Sequence, residues 1–309
     1  MAHGHGHGHG HAHPHGHDER GALAATNQRR LLAVIAIGVV VLVAEVVGGL
    51  LANSLVLLSD AAHMSTDIAA VLLAYAAAVL ATRPATTSKT YGYARAEIVA
   101  AFLNAVALWF VSAYFVWESV RRLRAPPEVD APLVIGVGVL GLAANLLLAA
   151  VLHRGKEHSL NVRSAYLHVL SDTLGSAAAI AAGLGILWFD ARWLDPATTL
   201  LIAALILVWT WRLTRETLHI LLEGVPHAVD AGAVRGTIEG VPGVVGVHDL
   251  HVWSITTGME NVSAHVVVDD PRRGMEVVRA IKERLKADHR LAHATIEVEA
   301  RGSGCEGCN

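Results

Sequence analysis

From Leu31 to Leu58 the only ionisable residue is Glu45, and the run is too long for a single membrane crossing with its flank. Gly48-Gly49 and Asn53-Ser54 mark the break, so the pattern predicts two spans at about 30–52 and 55–82. Four further apolar runs follow at about 97–120, 131–153, 163–188 and 194–215. Each holds roughly 20 residues, which at about 1.5 Å per residue crosses a hydrocarbon core of about 30 Å. The runs are continuous, whereas a closed barrel needs short alternating strands, so the spans are predicted to be helices. Beyond Glu223 the pattern is that of a soluble domain. Asp230 caps a helix to Glu239, Val244–Ile255 and Val262–Val268 read as strands, Pro271–Ala287 as a helix and Ala294–Glu299 as a strand.

The expected fold class is therefore an α-helical membrane protein with six transmembrane helices and a C-terminal cytoplasmic α+β domain. The order α-β-β-α-β over about 80 residues resembles the ferredoxin-like class. The domain expectation is a His-rich disordered tail at 1–29, the six-helix membrane domain at 30–215, the cytoplasmic domain at 216–300 and a Cys-x-x-Cys tail at 301–309. Six spans place both termini on one side. With that side cytoplasmic, inside segments hold Arg20, Arg29, Arg30, Arg83, Lys89, Arg95, Arg154, Lys156, Arg163, Arg212 and Arg215. The opposite side holds Arg121, Arg122, Arg124 and Arg192, so the balance favours termini inside. Arg121-Arg122-Leu123-Arg124 is a local violation of that rule.

Composition supports this reading. The residues AVILMFWYC make up 53% of 309, and with 28 glycines the share reaches about 62%, well above the roughly 45–50% of a soluble chain. Mean hydropathy is +0.46. A net charge of −3 gives no reason to expect a nucleic-acid partner. The first twenty residues are rich in His and Gly rather than apolar, so no cleavable signal peptide is expected. His3, His5, His7, His9, His11, His13, His15 and His17 alternate mainly with glycine, which suits a flexible metal-collecting tail. An expression tag would usually carry consecutive histidines. The two cysteines exclude a disulfide framework; Cys305 and Cys308 have the spacing of two metal thiolates, or belong to an idle tail.

Ionisable residues within spans are costly and are functional candidates by default. Span two carries His63 and Asp67, and span five carries His168 and Asp172, each as His-x-x-x-Asp. Four residues apart, the pair shares one helix face, offset by a turn. Two such helices facing each other supply two imidazoles and two carboxylates, a closed tetrahedral set that suits Zn²⁺. The alternative is that each His bonds its own helix partner. Asp60, one turn before His63, is either a proton relay or a structural carboxylate. Glu45, Asn104, Glu118 and Asn145 are expected to bond between helices or to line a water path.

On these motifs the sequence resembles the cation diffusion facilitator family of metal/proton antiporters. The resemblance extends from about Arg30 to Glu299 and includes Tyr91-Gly92-Tyr93-Ala94-Arg95-Ala96-Glu97, Asn104 and His248-Asp249-Leu250-His251-Val252-Trp253. It implies that His63, Asp67, His168 and Asp172 form the transport site, associated with Zn²⁺ and open to Cd²⁺ or Co²⁺. It also implies a homodimer formed through the cytoplasmic domain, with Arg95 and Glu223 interlocking protomers near the membrane. Two solvated surface charges are the alternative for that pair. Regulatory metal sites would draw on His248 and His265, with Glu297 at a further ligand position, and His251, Cys305 and Cys308 are additional candidates.

Charge accounting then gives a mechanism. Zn²⁺ needs neutral imidazoles and ionised carboxylates, so its binding displaces protons, and protons entering from outside release it. An unperturbed imidazole titrates near neutrality, which makes His63 and His168 the expected carriers. The expected function is export of Zn²⁺ from the cytoplasm against H⁺, in a multi-pass protein of what its Ala- and Arg-rich usage suggests is a bacterial plasma membrane. The alternatives are a membrane-anchored metal buffer or sensor, and a Mn²⁺ or Fe²⁺ transporter of the same family. A closed set of four protein ligands leaves no position for water, which argues against an enzyme.

Overall fold

The computed structural model describes residues 36–153 and 160–302. Helix α1 covers Ala36–Leu51 within that range. It is followed by α2 (Leu55–Ala81), α3 (Ala96–Arg124), α4 (Ala131–His153), α5 (Leu160–Phe189) and α6 (Leu194–Leu221). Among the described residues five helices, α2 to α6, are long and apolar enough to cross a membrane, and α1 is a shorter apolar helix. Large apolar side chains such as Phe110, Leu174 and Trp209 stand exposed on these helices, which is how a chain presents itself to lipid. α3 runs past its expected end through Arg121, Arg122 and Arg124, and α6 continues to Leu221. The added turn of α3 is basic, and beyond α6 the amides of Leu222, Glu223 and Gly224 donate to the carbonyls of Leu218, Ile220 and His219, which satisfies the helix end.

The chain packs as two compact units. The first holds residues up to Ser65 and from Val111 to Ala204. Its core joins Ala52, Val56, Leu57, Val134 and Ala179, with Ile202 packed against them. The break between α1 and α2 falls at Asn53, whose φ of 53° leaves the right-handed region. Gly48 and Gly49, expected to help make that break, lie inside α1 instead. A Cβ on Gly48 would stand 2.5 Å from Val137 Cγ2, so this glycine serves the close approach of α1 and α4.

α2 starts under an unusual cap. The fully buried Asp195, in the first turn of α6, accepts from Ser54 Oγ (2.6 Å), Leu55 N (2.7 Å) and Val56 N (3.3 Å). A carboxylate from 140 residues away thus satisfies the orphan amides of the α2 N-terminus. On α3 the Glu118 carboxylate accepts from Arg121 (2.8 Å) and Arg122 (2.9 Å), and Arg192 pairs with Asp190 and Glu128. Arg121, Arg122 and Arg192, three of the four arginines that the sequence reading set on the side away from the termini, are therefore held in ion pairs.

The second unit holds Thr66–Phe110 and everything from Leu205 onward. Within it Trp109 Nε1 donates to Thr214 Oγ1 at 3.0 Å, tying α3 to α6. The C-terminal part is α7 (Ala231–Glu239), β1 (Val244–Ser254), β2 (Glu260–Val268), a 3₁₀ turn at Pro271–Arg273, α8 (Gly274–His289) and β3 (His293–Ala300). The sheet order is β1-β2-β3, with β1 and β2 antiparallel and β2 and β3 parallel across the α8 crossover. Val234 and Ile238 of α7 and Val277, Ile281 and Leu285 of α8 cover one sheet face, where Val262, Ala264, Val266 and Val268 alternate inward. The opposite face carries His265. The fold is that of a helical membrane protein with a small C-terminal α+β domain.

Candidate metal centres

The C-terminal candidates are placed by strand register. His248 pairs with His265 across β1 and β2, and His265 with Glu297 across β2 and β3. Strict alternation would put Val247 and Val252 on opposite faces, because five residues separate them. A bulge between His248 and His251, with Asp249 at φ 49°, returns Val252 to the core and leaves His248 and Asp249 beside His265.

The side chains converge there. The His248 and His265 rings lie 5.3 Å apart at 65°. One carboxylate joins them: Glu299 Oε2 is 3.1 Å from His248 Nε2, and Glu299 Oε1 is 2.8 Å from His265 Nδ1. Glu297 lies 3.5 Å and Asp249 3.7 Å from His265 Nε2. Among the described residues, His248, His265 and Glu299 are the set of three possible ligands whose donor atoms all lie within 4.8 Å of one another. Sequence reasoning singled out Glu297, whose side chain is 65% exposed, while the carboxylate at the centre is Glu299, at 10%. Period-two alternation puts both on the His face, and choosing between them needs the register of the three strands. His251 bonds Asp249 at 3.0 Å and is exposed at the edge of the group.

In the membrane helices of the first unit the structure brings His63 of α2 against His168 of α5, with ring centroids 6.3 Å apart at 71°. His168 Nε2 lies 3.6 Å from Asp172 Oδ2, one turn on. His63, His168 and Asp172 are thus neighbours, though less tightly gathered than the C-terminal set. Asp67 follows His63 by one turn of α2, and its Oδ2 and His63 Nδ1 are both shielded from solvent. Asp60, Glu45 and Asn145 are buried in the same unit. Asn145 donates to Ser176 at 3.4 Å, and a Cβ on Gly141 would stand 3.3 Å from Glu45 Oε1. Asn104 is half-buried on α3. The residues needed for a zinc-type ligand set, imidazole nitrogen with carboxylate oxygen, are therefore present in two places.

Arg95 and Glu223 bond one another within the chain at 2.9 Å, where the resemblance implied an interlock between protomers. The histidines from His3 to His17, and Cys305 and Cys308, lie outside the described residues.

Residues 31–222 match the cation efflux transmembrane domain, and residues 226–301 match the cytoplasmic domain of cation efflux proteins. The chain belongs to the cation efflux family. These are the cation diffusion facilitators whose motifs it carries. It is 40% identical over 264 residues to the cadmium, cobalt and zinc/H⁺-K⁺ antiporter of Bacillus subtilis, covering 84% of each chain. It is 40% identical over 276 residues to the zinc transporter ZitB of Escherichia coli, covering 88% of each. Among solved structures it is similar to the metal-bound C-terminal domain of the CzcD transporter from Cuprividus metallidurans, at 38% identity over 23% of this chain and 99% of that one, with a TM-score of 0.22. This member of the cation efflux family is a multi-pass membrane transporter of divalent cations, not an enzyme.

Proposed function

We propose that this cation efflux protein exports Zn²⁺ from the cytoplasm in exchange for protons, through a site of His63, Asp67, His168 and Asp172. The observation that carries the reading is the contact of His63 with His168, 6.3 Å between ring centroids, in two membrane helices that each repeat His-x-x-x-Asp. Two imidazoles and two carboxylates fill a tetrahedral shell and leave no open position, which suits a cation that is carried rather than used for chemistry. Loading requires ionised carboxylates and neutral imidazoles, so each ion bound displaces protons, and protons arriving from the far side expel it. Asp60, buried one turn before His63, is the proposed relay. That relatives are named for zinc, cadmium and cobalt transport, one of them as a proton-coupled antiporter, supports the substrate class and the coupling.

The functional unit is a homodimer with both termini cytoplasmic. His248, His265 and Glu299, with Glu297 and His251 beside them, form the regulatory metal site. The alternating histidines of the N-terminal tail, and Cys305 and Cys308, collect metal on the same side. A membrane-anchored zinc buffer would need only this cytoplasmic group and no paired motif in the spans. The test is zinc uptake into proteoliposomes holding the full-length protein under an imposed pH gradient. Uptake that follows the gradient and collapses with a protonophore is expected. Saturable zinc binding with no flux would replace antiport by the buffer reading.

A further inference from the structure

The second unit holds a cavity of about 1020 Å³ whose lining, apart from His251 at its edge, takes no part in the metal chemistry. Lys89, Tyr91, Tyr93 and Arg95 line it from the segment between α2 and α3, with Glu223 after α6 and Trp253 on β1 opposite. Both ends of that segment enter membrane helices, so the cavity opens at the level where spans leave the bilayer. We propose that it holds the phosphate headgroup of an anionic phospholipid.

Charge is the first argument. Residues 82–95 carry Arg83, Lys89 and Arg95 and no acidic residue. Glu223 neutralises Arg95 at 2.9 Å, whereas Lys89 has no carboxylate within 4.0 Å among the described residues. The Lys89 ammonium instead lies 5.2 Å from the centroid of the Tyr93 ring, positioned at the cavity wall with its charge uncompensated. An anion is what such a wall lacks. The second argument is the aromatic lining: Tyr91, Tyr93 and Trp253 pair an apolar ring with a polar edge, the combination that settles at headgroup depth. The third is size. A volume of about 1020 Å³ is far more than one phosphate ion fills and sits at the upper end of the range for pockets that take organic ligands. A phosphodiester on a glycerol unit uses the volume, the cation and the hydroxyls of Ser88 and Thr90 together. A lipid is favoured over a soluble phosphate ester because the membrane surface supplies headgroups at this level.

The test is binding of phosphatidylglycerol and phosphatidylcholine to the full-length detergent-solubilised protein, counted by native mass spectrometry. Preference for phosphatidylglycerol is expected. Lys89→Glu should weaken it at least about fivefold, the effect of about 1 kcal/mol per cation at a membrane surface. Lys282→Glu makes the same charge change on the exposed face of α8, away from the cavity, and should leave the preference intact. Equal losses in the two variants would mean diffuse attraction and overturn the site. So would equal retention of the two lipids by the wild-type protein. If glycerol 3-phosphate displaced the lipid at matched concentration, the ligand would be a soluble phosphate ester and the lipid assignment would fall.

Discussion

His248 and His265 stand 5.3 Å apart on adjacent strands, and His63 and His168 stand 6.3 Å apart on two helices. The first pair shares a carboxylate, because Glu299 reaches both rings within 3.1 Å and is itself almost wholly buried. In the second, His168 Nε2 lies 3.6 Å from Asp172 Oδ2, beyond a hydrogen bond, and the His168 side chain is 47% exposed. Register explains the contrast. In a sheet, backbone bonds hold cross-strand neighbours at fixed spacing, so three strands deliver their side chains to one point already bonded. Two membrane helices have no such ladder, and their side chains meet only as far as packing brings them. Under the proposed function this is an advantage. A regulatory site has to hold its ion, and a transport site has to let go of it each cycle.

The largest effect should come from breaking the helical pair. His168→Ala removes one imidazole, leaves three ligands and deletes a proton-exchanging group, so zinc flux under a pH gradient should fall at least about 100-fold. The dimer should still assemble, because His168 contributes little to the core of its unit. Wild-type flux in this variant would dismiss the contrast between a carrying and a holding site.

Breaking the sheet cluster should act differently. Glu299→Ala leaves His248 and His265 without their common acceptor and should lower zinc affinity of the cytoplasmic site about 10- to 100-fold. Maximal flux at saturating metal should survive. Calorimetry on the full-length protein in an Asp172→Ala background, with and without Glu299→Ala, isolates the change at the His248 cluster, because the metal held by the two tails is common to both proteins. An unchanged affinity would remove Glu299 from the ligand set.

Legibility in the sequence followed the range of the interaction. His63 and Asp67, or His168 and Asp172, are four residues apart, and helical geometry makes them neighbours before any tertiary contact is known. The helix spans and the α-β-β-α-β order were equally local. Glu299 was half legible: alternation places it with Glu297, but only the register of β3 against β2 and the bulge at Asp249 make it the central carboxylate. Asp195 was illegible, since nothing near it in the chain points to Ser54 or Leu55, and a helix cap from another span is a tertiary event. Gly48 and Gly49 misled in the usual way: a glycine can break a helix or let another segment approach it, and here Val137 lies against Gly48 and Leu58 against Gly49.

Asp195 offers a milder way to sharpen the comparison. Asp195→Ala leaves Ser54 Oγ and two backbone amides at the start of α2 without an acceptor in a buried setting. The membrane part should lose about 1–3 kcal/mol of stability, read as a lower midpoint of thermal unfolding in detergent. Because α2 carries His63, flux should drop with it. Zinc binding at the His248 cluster, which shares no residue with this cap, should stay as it is. A parallel loss at both sites would show that the two are not independent.

The smallest effect is expected on the sheet side, in the response to acid. Asp270 caps the turn before α8, accepting from Arg272 Nε at 3.0 Å, Arg272 Nη2 at 3.1 Å and the Arg272 amide at 3.0 Å. The Arg272 side chain first, and its backbone amide second, hold the Asp270 carboxyl below the usual carboxylate range. A carboxyl lowered in the folded state binds fewer protons there than in the unfolded chain. Its stabilisation is therefore complete above the ordinary Asp value of about 4 and is lost as pH falls through the lower folded value. Asp270→Asn should flatten that part of the acid limb of the cytoplasmic domain by slightly lowering stability at neutral pH, where the wild-type carboxylate contributes in full, and by leaving it unchanged at the acid end, where the wild-type group is protonated. Near-ultraviolet circular dichroism during acid titration of the full-length protein, wild type against variant, measures it. If the two acid limbs superimposed, the Arg272 pairing would contribute nothing to the acid response of the sheet domain.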